Sequence, residues 1–306
     1  MNTIITLALV ATGLLPLAAR AQTPRQAVLD AETAFAAQAA KAGAPAAFLA
    51  HCAPTAVVTD EGRLANAEAV WRARPARAGA RLAWYPVWAD VAQSGELGYT
   101  TGPWTSFYNN QPQTSGEYVT VWRKQPDGRW KFAVDLGVER VGVTPAPVAT
   151  VPQPRLPAAA ATPSTAPANI VLDVDRKFAA AELLKPGATY QQYLSAEARL
   201  YRPGLSMMQG AGAAANMKNL DGGYLFTPTG GYLAAAGDLG YVVGTLHRPG
   251  AGPRRPAEDG SYLRIWRREA AAGWRVVVEV FNLAPVPSAA AGAAPDAGAT
   301  GQVPGR

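Results

Sequence analysis

The spacing of apolar residues divides the chain into helical and extended stretches, and it does so twice. Val28, Ala31 and Phe35 fall on one helical face, as do Val171, Val174 and Phe178 further on. Thr23-Pro24-Arg25-Gln26 has the form of a capping box, with Thr23 as N-cap, Pro24 at the first helical position and Gln26 reaching back. Pro45 and Pro186 each open a short second helix, carrying Phe48-Leu49 and Tyr193-Leu194, and a third helical piece spans about 66–74. From Leu82 the period becomes two. Strands are predicted over 82–93, 98–107, 117–124 and 130–136, and again over 224–235, 240–247, 261–267 and 274–281. Ser94-Gly95-Glu96 and Pro126-Asp127-Gly128 supply turns between them. Helices followed by an antiparallel meander predict an α+β domain, present in two copies.

The two copies are visible residue by residue. Gly95-Glu96-Leu97-Gly98-Tyr99 returns as Gly237-Asp238-Leu239-Gly240-Tyr241, and Tyr118 to Arg123 returns as Tyr262 to Arg267. Trp130 to Asp135 corresponds to Trp274 to Glu279, and Leu29-Asp30 and Phe35 correspond to Leu172-Asp173 and Phe178. The offset stays between 142 and 144 residues throughout. A repeat of that length is a whole domain rather than a solenoid unit.

Composition then sets the layout. Hydrophobic residues make up 49% of the 306, enough for real cores, while residues 143–166 are rich in Pro and Ala. Residues 1–21 read as a secretion signal: residues 4–17 are almost wholly apolar, and Ala19-Arg20-Ala21 gives a small-x-small cleavage pattern. The expected layout continues with a domain over 22–142, a Pro/Ala-rich linker over 143–166, a second domain over 167–286 and a disordered tail over 287–306. Exported, periplasmic or secreted placement is the corresponding expectation. The net charge of +6 is diffuse, with 12 basic and 11 acidic residues in 22–142 and 13 and 10 in 167–286. Neither a nucleic-acid partner nor a membrane span is expected. Cys52 is the single cysteine, which excludes an intramolecular disulfide and a cysteine-based zinc site; it is expected buried, as a small hydrophobe.

The order of elements, together with Gly95-Glu96-Leu97-Gly98-Tyr99, Thr100, Gly102, Tyr118 to Arg123, Asp127 to Lys131 and Asp135, resembles the nuclear transport factor 2-like superfamily. Its SnoaL-like and ketosteroid isomerase-related exported domains of unknown function are the nearest part. The second copy carries the same resemblance through Gly237 to Tyr241, Gly244, Tyr262 to Arg267, Gly273 to Arg275 and Ala198 to Gly204. The resemblance implies an α+β fold of two tandem cone-shaped domains, each with amino-terminal helices packed in a strongly curved antiparallel sheet. The open end of each cone is a pocket. Members use it for isomerisation, dehydration, cyclisation or plain binding, so the fold selects no single function.

Candidate residues follow from that geometry. Trp84, Trp88, Tyr99, Trp104 and Tyr118 (with Phe107 nearby) are expected to line or underlie the first cone, and Phe226, Tyr241, His247 and Tyr262 the second. Alternation through Trp84, Pro86 and Trp88 places both Trp side chains on one face. Asp135 and Glu279, equivalent carboxylates on the last strands, are the candidate acid or base residues. Strand parity groups Asp135 with Lys131, opposite Trp130, Phe132 and Val134, which argues for a solvated or interfacial carboxylate. Glu96 and Asp238 sit in turn sequences and read as structural. Asp30 with Glu32, and Asp173 with Asp175, lie early in helices, where acids suit the helix dipole and where one could point into the cone. His51 beside Cys52 lacks a third orienting group, and no metal or cofactor is expected. The reading is an exported protein binding a small apolar ligand in one or both cones. The alternatives are a lyase or isomerase using a pocket carboxylate, and a structural pseudo-dimer with neither pocket active. The two domains are expected to pair within the chain, or the chain to form a homodimer.

Overall fold

A computed structural model describes residues 23–140, 169–217, 223–252 and 255–285. The expected leader (1–21), linker (143–166) and tail (287–306) lie outside the described residues. The first domain runs α1 (Pro24–Ala42), α2 (Ala44–His51), β1 (Cys52–Asp60), β2 (Arg63–Asn66), α3 (Ala67–Ala73), β3 (Ala80–Trp84), β4 (Trp88–Val91), β5 (Leu97–Tyr108), β6 (Gln111–Lys124) and β7 (Trp130–Glu139). The second runs α4 (Ile170–Leu184), α5 (Ala188–Tyr193), β8 (Leu194–Tyr201), β9 (Met208–Gln209), α6 (Gly210–Met217), β10 (Leu225–Leu233), β11 (Leu239–Arg248), β12 (Glu258–Glu269) and β13 (Gly273–Leu283). This is the expected α+β architecture of two cones in tandem.

Local chemistry starts the helices where the sequence places them. The Thr23 hydroxyl accepts from the Gln26 amide at 3.3 Å, and Pro24 opens α1; Asn66 caps α3 by accepting from the Ala69 amide at 3.0 Å. One face of α1 buries Val28, Glu32, Phe35 and Ala39 against the concave sheet, and α4 likewise buries Val171, Asp175, Phe178 and Glu182. An acid on each of these otherwise apolar stripes is the first sign of a polar centre inside each cone.

The meander is antiparallel, and one parallel pairing closes each sheet: β1 with β7, and β8 with β13. The orders are β2-β1-β7-β6-β5-β3, with β4 also on β5, and β10-β11-β12-β13-β8-β9. A β-bulge corrects the parity argument. On β7, Val134 pairs with Val121 and Phe132 with Trp122, so Ala133 is an extra residue. Phe132 therefore joins the helix-facing core, while Val134, Leu136 and Val138 point out of the cone and Asp135 points in. Val277 makes the same bulge on β13.

The expected single strand over 82–93 is broken at Tyr85-Pro86-Val87 into β3 and β4. Trp84 and Trp88 consequently do not share a face. Trp84 enters the cone, and Trp88 is buried in the face opposite.

The convex faces of the two sheets pack together. Trp88, Leu97, Tyr99, Val119, Val121 and Leu136 form one core with Tyr201, Leu239, Tyr241, Val243, Leu263 and Ile265. The polar contacts are reciprocal: Asp238 accepts from the Gln93 amide at 3.1 Å, and its equivalent Glu96 accepts from the Ala235 amide at 2.6 Å. Arg267 pairs with Asp90, while the equivalent Arg123 stacks 3.7 Å from the ring centre of Tyr232, the counterpart of Asp90. Residue i meeting j while j′ meets i′ is the signature of a two-fold interface, here built within one chain. Gly62, with φ of 77°, lies so close to the Ala284 backbone that a Cβ would come within 2.3 Å of its nitrogen.

Candidate functional site

The first cone encloses a cavity of about 240 Å³. Phe48, Trp71, Trp84, Trp104 and Tyr118 give it aromatic walls, joined by Leu82; Asp135 and Gly137 of β7 form one side, and Arg74 its exposed edge. Gly116 lets Trp104 lie flat over the sheet, since a Cβ there would come within 2.9 Å of the Trp104 ring. Arg74 is already engaged, pairing with Asp60 at 2.5 Å and sitting 5.2 Å from the centre of the Trp71 ring.

Beneath the cavity lies a polar centre. Glu32, with no exposed surface, accepts from Trp84 Nε1 at 2.6 Å, Thr100 Oγ1 at 2.5 Å and Trp122 Nε1 at 2.9 Å. Asp135 accepts from the Thr120 hydroxyl at 2.7 Å. Burial raises the Glu32 carboxyl, and its hydrogen-bond donors only partly offset that. Burial, reinforced by the charge of Glu32, pushes Asp135 up to about 7. The Tyr118 hydroxyl is buried near both carboxyls and close to Thr100, yet makes no hydrogen bond of good geometry.

In the second cone the same positions are filled differently. Thr120 faces Asp135 across β6 and β7; Arg264 faces Glu279 at the equivalent register. Arg264 is fully buried, its guanidinium bonded to Glu279 through Nε and to Asp175 through Nη1 at 3.2 Å. The rings of Phe178, Phe226 and Tyr262 surround it with centres 4.1, 4.0 and 4.5 Å away. Arg202 and the Tyr190 hydroxyl also hold Glu279. Burial alone would raise Glu279, but Arg264 and Arg202 outweigh it and keep the carboxylate below its ordinary range. What remains is a cavity of about 160 Å³ at the cone mouth, among Tyr190, Arg202, Met217, Tyr224, Arg248 and Phe281.

The structure thus brings Trp84, Trp104, Tyr118 and Asp135 together around one cavity. Trp88, Tyr99 and Tyr241 lie instead in the core between the domains. Tyr262 packs on Arg264 and Glu279 is held by two arginines, so neither faces an open pocket of the kind expected; Phe226 also packs on Arg264 but borders a surface groove of about 270 Å³ with Leu183 and Leu225. His247 pairs with Asp259 at 2.8 Å on a half-exposed strand end. Cys52 is half-buried rather than buried; its Sγ donates to the Leu49 carbonyl, and burial pushes the thiol up, away from nucleophilic use. His51 meets Gln38 at 2.9 Å. Asp30 and Asp173 stay exposed, bonded to Gln26 and Arg176, whereas Glu32 and Asp175 are the acids that turn inward. Their spacing from Phe35 and Phe178 on one helical face was the available signal. A groove of about 530 Å³ by the β6–β7 turn is larger, but most of its polar side chains are engaged: His51 with Gln38, Asp30 with Gln26, Arg129 with Asp127 and Lys131 with the Ala50 carbonyl. Among the described residues, no three metal-ligating side chains converge and no helix is long and apolar enough to cross a membrane.

No family model and no curated protein matches the sequence. Solved structures do match, one domain at a time. An NTF2-like protein of unknown function from Pseudomonas putida is 17% identical, with a TM-score of 0.32, over 40% of this chain and 89% of that one. A ketosteroid isomerase-like protein from Erwinia carotovora atroseptica is 15% identical, with a TM-score of 0.30, over 39% and 96%. The S. rosetta CaMKII hub is 18% identical, with a TM-score of 0.33, over 40% and 99%. The likeness is one of fold, to single domains each matched over about two fifths of this chain.

Proposed function

We propose that the first domain binds a small, flat, largely apolar molecule in its cone, with the Asp135 carboxyl as polar anchor, and that the second domain serves as its structural partner. The observation that carries this reading is the aromatic cavity with one carboxyl on its wall, set against a second cone whose equivalent centre is occupied by the chain's own Arg264. Apolar walls with few convergent polar groups are what small-molecule sites present. The amino-terminal apolar run and Ala19-Arg20-Ala21 support placing this binding activity outside the cytoplasm.

Calorimetric titration of the full chain with naphthylmethanol tests the reading. Binding is expected in the wild type and lost in Gly137→Phe, whose ring would enter the cavity beside Trp104. Binding that is absent throughout a panel of such flat alcohols, or unchanged in Gly137→Phe, would remove it.

A second reading rests on Asp135 itself. A carboxyl that titrates at about 7 on a cavity wall is suited to give or take a proton at neutral pH. Glu279 has no such capacity, since Arg264 and Arg202 hold it ionised. If a turnover is found, Asp135→Asn should abolish it; turnover that survives the substitution would assign the chemistry elsewhere.

A further inference from the structure

The second cone shows what its centre accommodates. A carboxylate from the first helix (Asp175), a carboxylate from the last strand (Glu279) and three rings (Phe178, Phe226, Tyr262) surround one cation, the guanidinium of Arg264. The repeat offset maps each of these parts onto the first domain. Asp175 corresponds to Glu32 and Glu279 to Asp135. Phe178 corresponds to Phe35, Phe226 to Trp84 and Tyr262 to Tyr118. The central cation has no counterpart, because Thr120 stands where the second copy has Arg264, and the register puts Asp60 where the second copy has Arg202, the other arginine on Glu279. The first cone therefore keeps two acids and an aromatic surround, adds Trp71 and Trp104, and opens Asp135, Trp84 and Tyr118 to a cavity, with Glu32 and Phe35 buried behind them.

We infer that the ligand of the first cone is a hydrophobic amine or amidine, whose cationic nitrogen meets the Asp135 carboxylate and the faces of the surrounding rings while its apolar body fills the cavity. This rests on the reading of that cavity as a ligand site and narrows its chemistry. Three further features favour a cation over an anion or a neutral group. The only basic side chain on the cavity wall is Arg74, which is at the exposed edge and paired with Asp60. Asp135 has one neutral donor, Thr120, and a second carboxyl nearby, so an incoming positive charge relieves a like-charge contact. Trp and Tyr faces attract organic cations by their ring quadrupoles, most strongly where water is excluded.

A matched set of probes tests this with the full chain at about pH 8, where Asp135 is largely ionised and an alkylamine is protonated. Naphthylmethylamine, naphthylmethanol and naphthoate share the same apolar body and differ in charge. Calorimetry is expected to give the amine an affinity at least about tenfold above the alcohol, with the carboxylate weakest. In Asp135→Asn the amine's advantage over the alcohol should disappear. Thr120→Arg, which writes the second copy's cation into the first, should exclude the amine. Its circular dichroism and unfolding midpoint would show whether that loss occurs in a folded chain. An alcohol that binds as tightly as the amine overturns the amine assignment but leaves the cavity a ligand site. Failure of all three probes overturns the ligand site itself. An amine advantage that persists in Asp135→Asn places the cation elsewhere and overturns the inference.

Discussion

The two cones share their helices, strand order and bulge, and differ most sharply at one pair of residues. Where the first has Thr120 opposite Asp135, the second has Arg264 opposite Glu279. The consequences run in opposite directions. In the first cone the carboxyls are solvated by neutral donors, stay raised, and border a cavity. In the second, a buried guanidinium supplies the charge, lowers Glu279 and fills the centre. A buried ion network offers little net stability, but it becomes very costly when broken. One copy is thereby fixed as a packed unit, and the other keeps a site.

The largest effect that would break this comparison is Arg264→Thr. It leaves Asp175 and Glu279 buried without their shared cation, and unfolding in denaturant should show a loss of about 3–5 kcal/mol. A loss below about 1 kcal/mol would mean that the second centre relaxes easily and is not a fixed plug.

Asp90→Ala at the domain junction comes next. It strands Arg267 between the sheets and should cost about 3 kcal/mol, with the two domains losing their common unfolding transition. Retention of one sharp transition at the wild-type midpoint would show that the domains are held by their apolar faces alone.

The equivalent carboxyls should respond to pH with opposite sign. Folded Asp135 keeps its proton up to about 7, against ~4 in the unfolded chain, so the native state binds more protons across that window. Its contribution to stability therefore declines as pH rises through the window and levels off above it. Asp135→Asn removes the decline, and its advantage over wild type should grow from near zero at about pH 4 to about 4 kcal/mol at about pH 8. Glu279 is held below its ordinary range, so its contribution is present above that range and lost as pH falls through it. Glu279→Gln should accordingly destabilise at neutral pH, with the deficit shrinking on acidification. Substitutions of the same sign at both positions would contradict the contrast between the cones.

The smallest effect is expected at the cavity edge. Arg74 and Asp60 are about half exposed, so Arg74→Ala should change stability by less than about 1 kcal/mol while altering ligand association through Trp71.

Much of the fold was legible because the repeat keeps its register, and because the Thr23 cap and the two strand-turn motifs name their elements. Tyr118, Trp84 and Trp104 were legible as pocket candidates from strand position, and Asp135 as a candidate acid or base from its place on the last strand, although strand parity argued against the pocket. The rest depended on events that a period of two does not record. Ala133 and Val277 each add a residue that resets inside and outside, turning Asp135 from a presumed surface carboxylate into a cavity wall. Pro86 breaks the strand between Trp84 and Trp88 and sends the two indoles to opposite faces. β1 was not anticipated, because its alternation around Pro54 and Thr55 is weak. Arg264 was passed over because arginine is rarely wholly buried, and only the converging Asp175 and Glu279 make it so.

Ligand stoichiometry addresses the contrast most directly. Calorimetry of the full chain with whichever naphthyl probe binds more tightly should give one site per chain, and no site in Thr120→Arg with its fold intact. Two sites per chain, or binding undiminished by Thr120→Arg, would contradict the assignment of one hollow and one filled cone.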